Sequence, residues 1–131
     1  MKQELLQGDG FSVRLENRGR YLWAHVFGGT DSLAVSLAMW KLLARQCQRF
    51  NARGLLVLED LASTVEPENI AAVIEAMTTF GFADIRIAFV ELQGDIEGSE
   101  RGEILALEND ILVHVFGNET EARRWLLYGG E

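Results

Sequence analysis

The sequence predicts an α/β fold, ββαβαβαβα in order, with a mainly parallel sheet and an N-terminal antiparallel hairpin in one domain spanning 1–131. Three observations carry that expectation. Leu55–Leu58 is a continuous apolar run, as in a strand covered on both faces, and Ile85–Glu91 reads as the next buried strand. The segments between such runs repeat their apolar residues at helical spacing. Repeated strand–helix alternation then favours parallel strands joined by right-handed crossovers.

Phe11–Glu16 alternates apolar and polar residues, as a half-buried strand does. Asn17-Arg-Gly-Arg20 supplies turn chemistry, and Tyr21–Phe27 pairs back as the second strand. Gly28-Gly29 breaks that strand, and Thr30 or Asp31 is positioned to cap a helix running to about Phe50. Arg53-Gly54 leads into Leu55–Leu58. Pro67, tolerated in a first turn, opens a second helix whose Ile70, Val73, Ile74, Met77 and Phe80 share a face, and Gly81 stops it. After Ile85–Glu91 the polar stretch Gln93–Gly102 reads as an exposed loop, followed by a short helix around Glu103–Glu108. Ile111–Phe116 is the fifth strand. Asn118, with Glu121 three positions on, caps a last helix that ends near Gly129.

Composition narrows function by exclusion. The 131 residues carry 12 basic and 20 acidic side chains, a net charge of −8 that repels phosphate backbones and excludes a nucleic-acid partner. No uncharged stretch approaches the ~20 residues of a membrane helix. One cysteine, Cys47, cannot form an internal bridge, and no apolar segment follows Met1-Lys2-Gln3-Glu4 as in a secretory signal. The expectation is therefore a cytoplasmic protein. Charge is uneven, +4 over residues 1–58 and −12 over 59–131, a dipole that can steer a partner or favour head-to-tail contact.

Chemistry-bearing patterns are sparse. His25 shares a strand face with Tyr21, Trp23 and Phe27, and His114 shares one with Leu112 and Phe116. Neither has an acid, nucleophile or further ligand at a telling spacing, so a packing role is expected, with no metal and no cofactor. Gly28-Gly29-Thr30 lacks the spacing of a phosphate-binding loop, and the acidic run Glu91–Glu103 does not form a calcium loop. The sequence holds no catalytic constellation.

The most informative segment is the first helix. Leu33, Leu37, Trp40, Ala44 and Cys47 form the stripe that faces the sheet. Val35, Met39 and Leu42 fall outside it, and Lys41, Arg45 and Arg49 form a basic ridge. Surplus apolar residues beside a basic ridge point to a surface for a subunit or another partner.

Gly54-Leu-Leu-Val-Leu-Glu-Asp60, Phe80-Gly-Phe-Ala-Asp-Ile-Arg-Ile-Ala-Phe-Val90 and Val113-His-Val-Phe-Gly-Asn-Glu-Thr-Glu-Ala-Arg-Arg-Trp-Leu126 together resemble the SpoIIAA-like family. That is the fold of anti-sigma-factor antagonist (STAS) domains, grouped with the CRAL-TRIO lipid-transfer domains, and the likeness covers residues 11–128 of what resembles an uncharacterised bacterial branch. The resemblance implies a regulatory or protein-interaction module, with a lipid-like ligand carrier as the alternative. Phosphorylated antagonists carry Asp-Ser-Ser-Gly between the third strand and second helix; here that junction reads Asp60-Leu-Ala-Ser63-Thr64, so Ser63 and Thr64 are candidate modification sites without the motif.

Two readings follow. In the first, a non-enzymatic module forms a homodimer or docks on a regulatory protein through Val35, Met39, Leu42, Lys41, Arg45 and Arg49. In the second, a small apolar or amphipathic ligand sits under Gln93–Gly102, with Tyr21, Trp23, His25 and Phe27 as lining residues.

Overall fold

The computed structural model describes residues 2–62, 67–93 and 96–129. Its elements are β1 (Gln3–Gln7), β2 (Ser12–Asn17), β3 (Leu22–Phe27), α1 (Leu33–Arg49), β4 (Gly54–Asp60), α2 (Pro67–Phe80), β5 (Arg86–Glu91), α3 (Ile96–Glu108), β6 (Val113–Phe116) and α4 (Glu119–Tyr128). The strands form one sheet in the order β1-β2-β3-β4-β5-β6. β1–β2 and β2–β3 are antiparallel, and β3 through β6 are parallel.

Two elements differ from the sequence expectation. β1 precedes the expected hairpin and makes it a three-stranded antiparallel unit. Its five residues alternate in burial, but Leu5 and Leu6 are adjacent among polar neighbours, a pattern too short to register as a strand. The second difference is α3, which begins at Ile96, so most of the expected loop is helix. Gly98 and Gly102 lower the helix propensity of this segment, and tertiary packing overrides it.

Sequential strand order places the helices. Each parallel crossover steps one strand in the same direction, and crossovers of constant hand put their helices on the same side. α1 packs on α2 and α2 on α3, a continuous three-helix layer. The residues of β4 divide accordingly: Leu55 and Val57 face that layer, while Leu56 and Leu58 face α4, which packs on β4, β5 and β6 from the other side. The reverse face of β1–β3 is less covered, with Leu5 and Arg14 exposed and His25 and Phe27 half-buried.

Local chemistry fixes the junctions. Ser32, not Thr30 or Asp31, caps α1, its Oγ accepting from Val35 N–H at 3.1 Å. Asp31 acts one residue earlier, its Oδ1 accepting from Ser32 N–H and from Ser36 Oγ, both at 2.8 Å. Asn118 caps α4 as expected, accepting from Glu121 N–H at 2.9 Å. Gly81 has φ +97, the left-handed geometry that ends α2. A Cβ on Gly29 would lie 2.0 Å from Gly10 O, so the β3–α1 junction and the β1–β2 turn can meet only at a glycine.

Candidate functional site

Trp40, Leu43, Ala44 and Cys47 of α1 turn to the sheet, and Leu33 and Leu37 pack partly against the same core. Met39 is also fully buried there. This corrects its assignment to the surface: with β1 and β2 on one side and α2 on the other, α1 buries an arc wider than a single stripe. Val35 and Leu42 are half-buried against the core, and Lys41, Arg45 and Arg49 are exposed. Arg49 is engaged within the domain, donating to both oxygens of Glu4 at 2.8 and 3.1 Å and lying 4.5 Å above the Phe50 ring. That contact holds the Glu4 carboxyl below its usual range.

Between α1 and the β1–β2 turn lies a groove of about 420 Å³. Leu6, Ala38 and Leu42 give it apolar surface, and Lys41 and Arg45 stand beside Asp9 at its rim. Neither cation forms an ion pair among the described residues.

A second concavity, about 110 Å³, lies on the same side of the sheet, between the C-terminal ends of β4 and β5 and the helical layer. Its apolar wall includes Trp40, Val73, Ile74, Met77 and Phe89, and four carboxylates reach its surface: Asp31, Glu59, Glu91 and Glu103. The first three are 7%, 6% and 8% exposed. Burial pushes the Asp31 carboxyl above its usual range, opposed by the hydrogen bonds from Ser36 and Ser32. Gly98, Ser99, Gly102 and Glu103 bring α3 against this wall. Sequence reasoning took Glu91 and Glu103 as parts of an exposed acidic run. Period-two alternation in β4 and β5 would have turned Glu59 and Glu91 toward the side of Val57 and Phe89.

Tyr21, Trp23, His25 and Phe27 do not line that hollow. They project from the opposite face of β3, correcting their grouping with the 93–102 site. Tyr21 and Trp23 are buried in the α4-side core, and Trp23 Nε1 donates to Glu119 Oε2 at 2.8 Å. Arg18 sits 4.8 Å above the Trp23 ring.

His25 stacks on Phe27 at 5.2 Å and has two polar partners, Arg14 Nη1 at 3.1 Å from Nδ1 and Asp60 Oδ2 at 3.3 Å from Nε2. A guanidinium only donates, so Nδ1 accepts and Nε2 carries the proton toward Asp60. Asp60 also accepts from Gln93, and that bond, then His25, lowers its carboxyl below the usual range. With both ring nitrogens engaged, His25 has no lone pair left for a substrate proton in this arrangement. His114 Nδ1 lies 3.2 Å from Glu103 Oε2, and its ring meets Trp125 edge-on at 4.8 Å. Glu103 Oε1 also accepts from Val115 N–H at 2.9 Å, occupying an amide of edge strand β6.

Ser63 and Thr64 lie outside the described residues. Among those described, no group of three or more His, Cys, Asp or Glu residues is arranged to hold a metal ion, and no helix is long and apolar enough to cross a membrane.

The fold and these sites define a class: an α/β domain with a three-helix layer on one face of a six-stranded sheet and a single helix on the other. No protein-family model, curated protein or solved structure matches the chain.

Proposed function

We propose that the domain is a non-enzymatic interaction module of SpoIIAA-like type that associates with a second copy of itself through the α1 surface. The observation that supports this most is the groove between α1 and the β1–β2 turn, with Leu42 in its apolar surface and Lys41 and Arg45 at its rim, neither in an ion pair among the described residues. Apolar contact supplies affinity there, and the two cations select a complementary surface. Leu42→Asp tests it by light scattering after size exclusion: the oligomer mass is expected to fall to that of the monomer while circular dichroism is retained. Unchanged association overturns the reading.

A second reading is favoured by the hollow beneath α3. Apolar walls with carboxylates at the edge suit a small amphipathic ligand. At about 110 Å³ it takes a short group rather than a lipid tail. Titrating short alkylamines while following tryptophan fluorescence, with Trp40→Phe as the control, should give a saturable change that the control abolishes; a flat titration ends this reading.

A further inference from the structure

α3 is amphipathic in an unusual sense, because part of its apolar surface faces outward. Ile104 is 61% and Leu107 65% exposed. Glu97, Glu100, Arg101 and Glu108 are exposed on the same face, the last three at offsets of three, four and eleven from Glu97, with Ile104 at seven. The face is thus two neighbouring aliphatic side chains framed by three glutamates and one arginine.

We infer that this face of α3 is what a second copy of the chain inserts into the α1 groove, in a head-to-tail contact. The inference rests on the self-association reading above and names the surface that completes it. Charge makes the match. The groove offers Leu6, Ala38 and Leu42 with Lys41 and Arg45 alongside, and α3 offers Ile104 and Leu107 with Glu97, Glu100 and Glu108 alongside. Pairing α3 with α3 would set these glutamates against one another, and pairing the basic rims would oppose Lys41 and Arg45 in the same way.

Position makes the match as well. α1 and α3 are the two ends of one helical layer, joined through α2. At the α1 end, β1 extends the sheet beyond the helix, with Leu6 on the helical side as part of the groove. At the other end, α3 stands over the edge strand β6. An α3 seated on β1 beside α1 therefore extends the neighbour's helical layer by one helix. Because the two surfaces differ, a pair of copies still carries one free groove and one free α3 face, and assembly continues to a ring or a filament rather than stopping at two.

The test uses two double variants of the full chain, Lys41→Glu/Arg45→Glu and Glu100→Lys/Glu108→Lys, in sedimentation velocity across a concentration series. All four substituted positions are exposed, and thermal melts check that folding is retained. The parent is expected to grow beyond dimer with concentration, and each variant to associate at least about tenfold more weakly. Mixed one to one, the variants should regain assembly, since the acidic α3 of one meets the basic groove of the other and the two reversed surfaces complement each other as well. If Glu100→Lys/Glu108→Lys assembles like the parent while Leu42→Asp does not, α3 is not the partner and the α1 reading stands alone. A parent that remains monomeric throughout overturns both.

Discussion

Asp31 and Asp60 are the same residue type near the same edge of the domain, and the two sides of the sheet treat them in opposite ways. Asp31 lines the hollow on the three-helix side, where loss of water pushes its carboxyl up against two hydrogen bonds that pull it down. Asp60 lies on the other side, partly in solvent, where Gln93 and His25 bond its charged form and pull it down. Glu59, its neighbour in β4, points the other way and is buried. One step along a strand thus separates a partly solvated acid from a dehydrated one. Complete helical cover makes the first side a place where charge is costly, and incomplete cover makes the second a place where charge is partnered at the surface.

The largest break in this contrast comes from the covered side. Met39→Asp places a carboxylate at a fully buried position of α1 and should unfold the domain, seen as loss of the cooperative melt. Leu43→Ala, also fully buried, is expected to cost about 2–5 kcal/mol in urea denaturation. Leu5→Ala, exposed on the less-covered face of β1, should stay within about 0.5 kcal/mol of the parent. Comparable losses for the two leucines would mean that the open face is covered after all.

A smaller effect is expected where α4 meets β3. Trp23→Phe keeps most of the ring but removes the donor to Glu119, a charge-assisted bond in a part-buried setting, and should cost about 1–2 kcal/mol. Combining it with Glu119→Gln should cost less than the sum of the two single changes, because the partners share one interaction.

The opposed aspartates predict opposed pH responses. A raised carboxyl gives the folded state the extra proton, so Asp31 withdraws stability as pH rises from the ordinary aspartate value through its raised one. Asp31→Asn, whose amide oxygen can still accept from Ser32 and Ser36, should flatten that decline and leave the domain no less stable at neutral pH. Asp60 acts in reverse: its contribution is complete above the ordinary aspartate value and is lost as pH falls through the lowered one. Asp60→Asn should remove that acid-side loss. Melts from pH 3 to pH 7 check both, and slopes of the same sign would end the comparison.

Which parts were legible in the sequence follows from the range of the interaction behind each. The apolar runs of β4 and β5, the α2 stop at Gly81 and the Asn118 cap are local or periodic, and each is found where the sequence puts it. β1 owes its existence to pairing with β2, and α3 to packing against α2 and β6, so neither has a strong local signature. Met39 illustrates the same limit. Helical periodicity locates a stripe, whereas the width of the buried arc depends on how many neighbours surround α1. The acids of the hollow were visible as residues, but their convergence depends on strand register and on α3 closing over them.

Cys47 gives a modest expected effect on stability and a direct measure of how well the helical side is sealed. It lies on α1 against the sheet, and burial alone pushes its thiol up to about 12. A thiolate is the reactive form, so in the folded protein a thiol reagent must wait for opening. Labelling in native buffer should be at least about a hundredfold slower than in denaturant. Cys47→Ala removes one buried sulfur without leaving a polar group and should cost about 1 kcal/mol. The Leu43→Ala variant, one turn away, should label faster in proportion to its lost stability if the thiol is reached by global opening. An unchanged rate would mean that α1 opens locally, and that the helical layer is a less complete cover than its burial indicates.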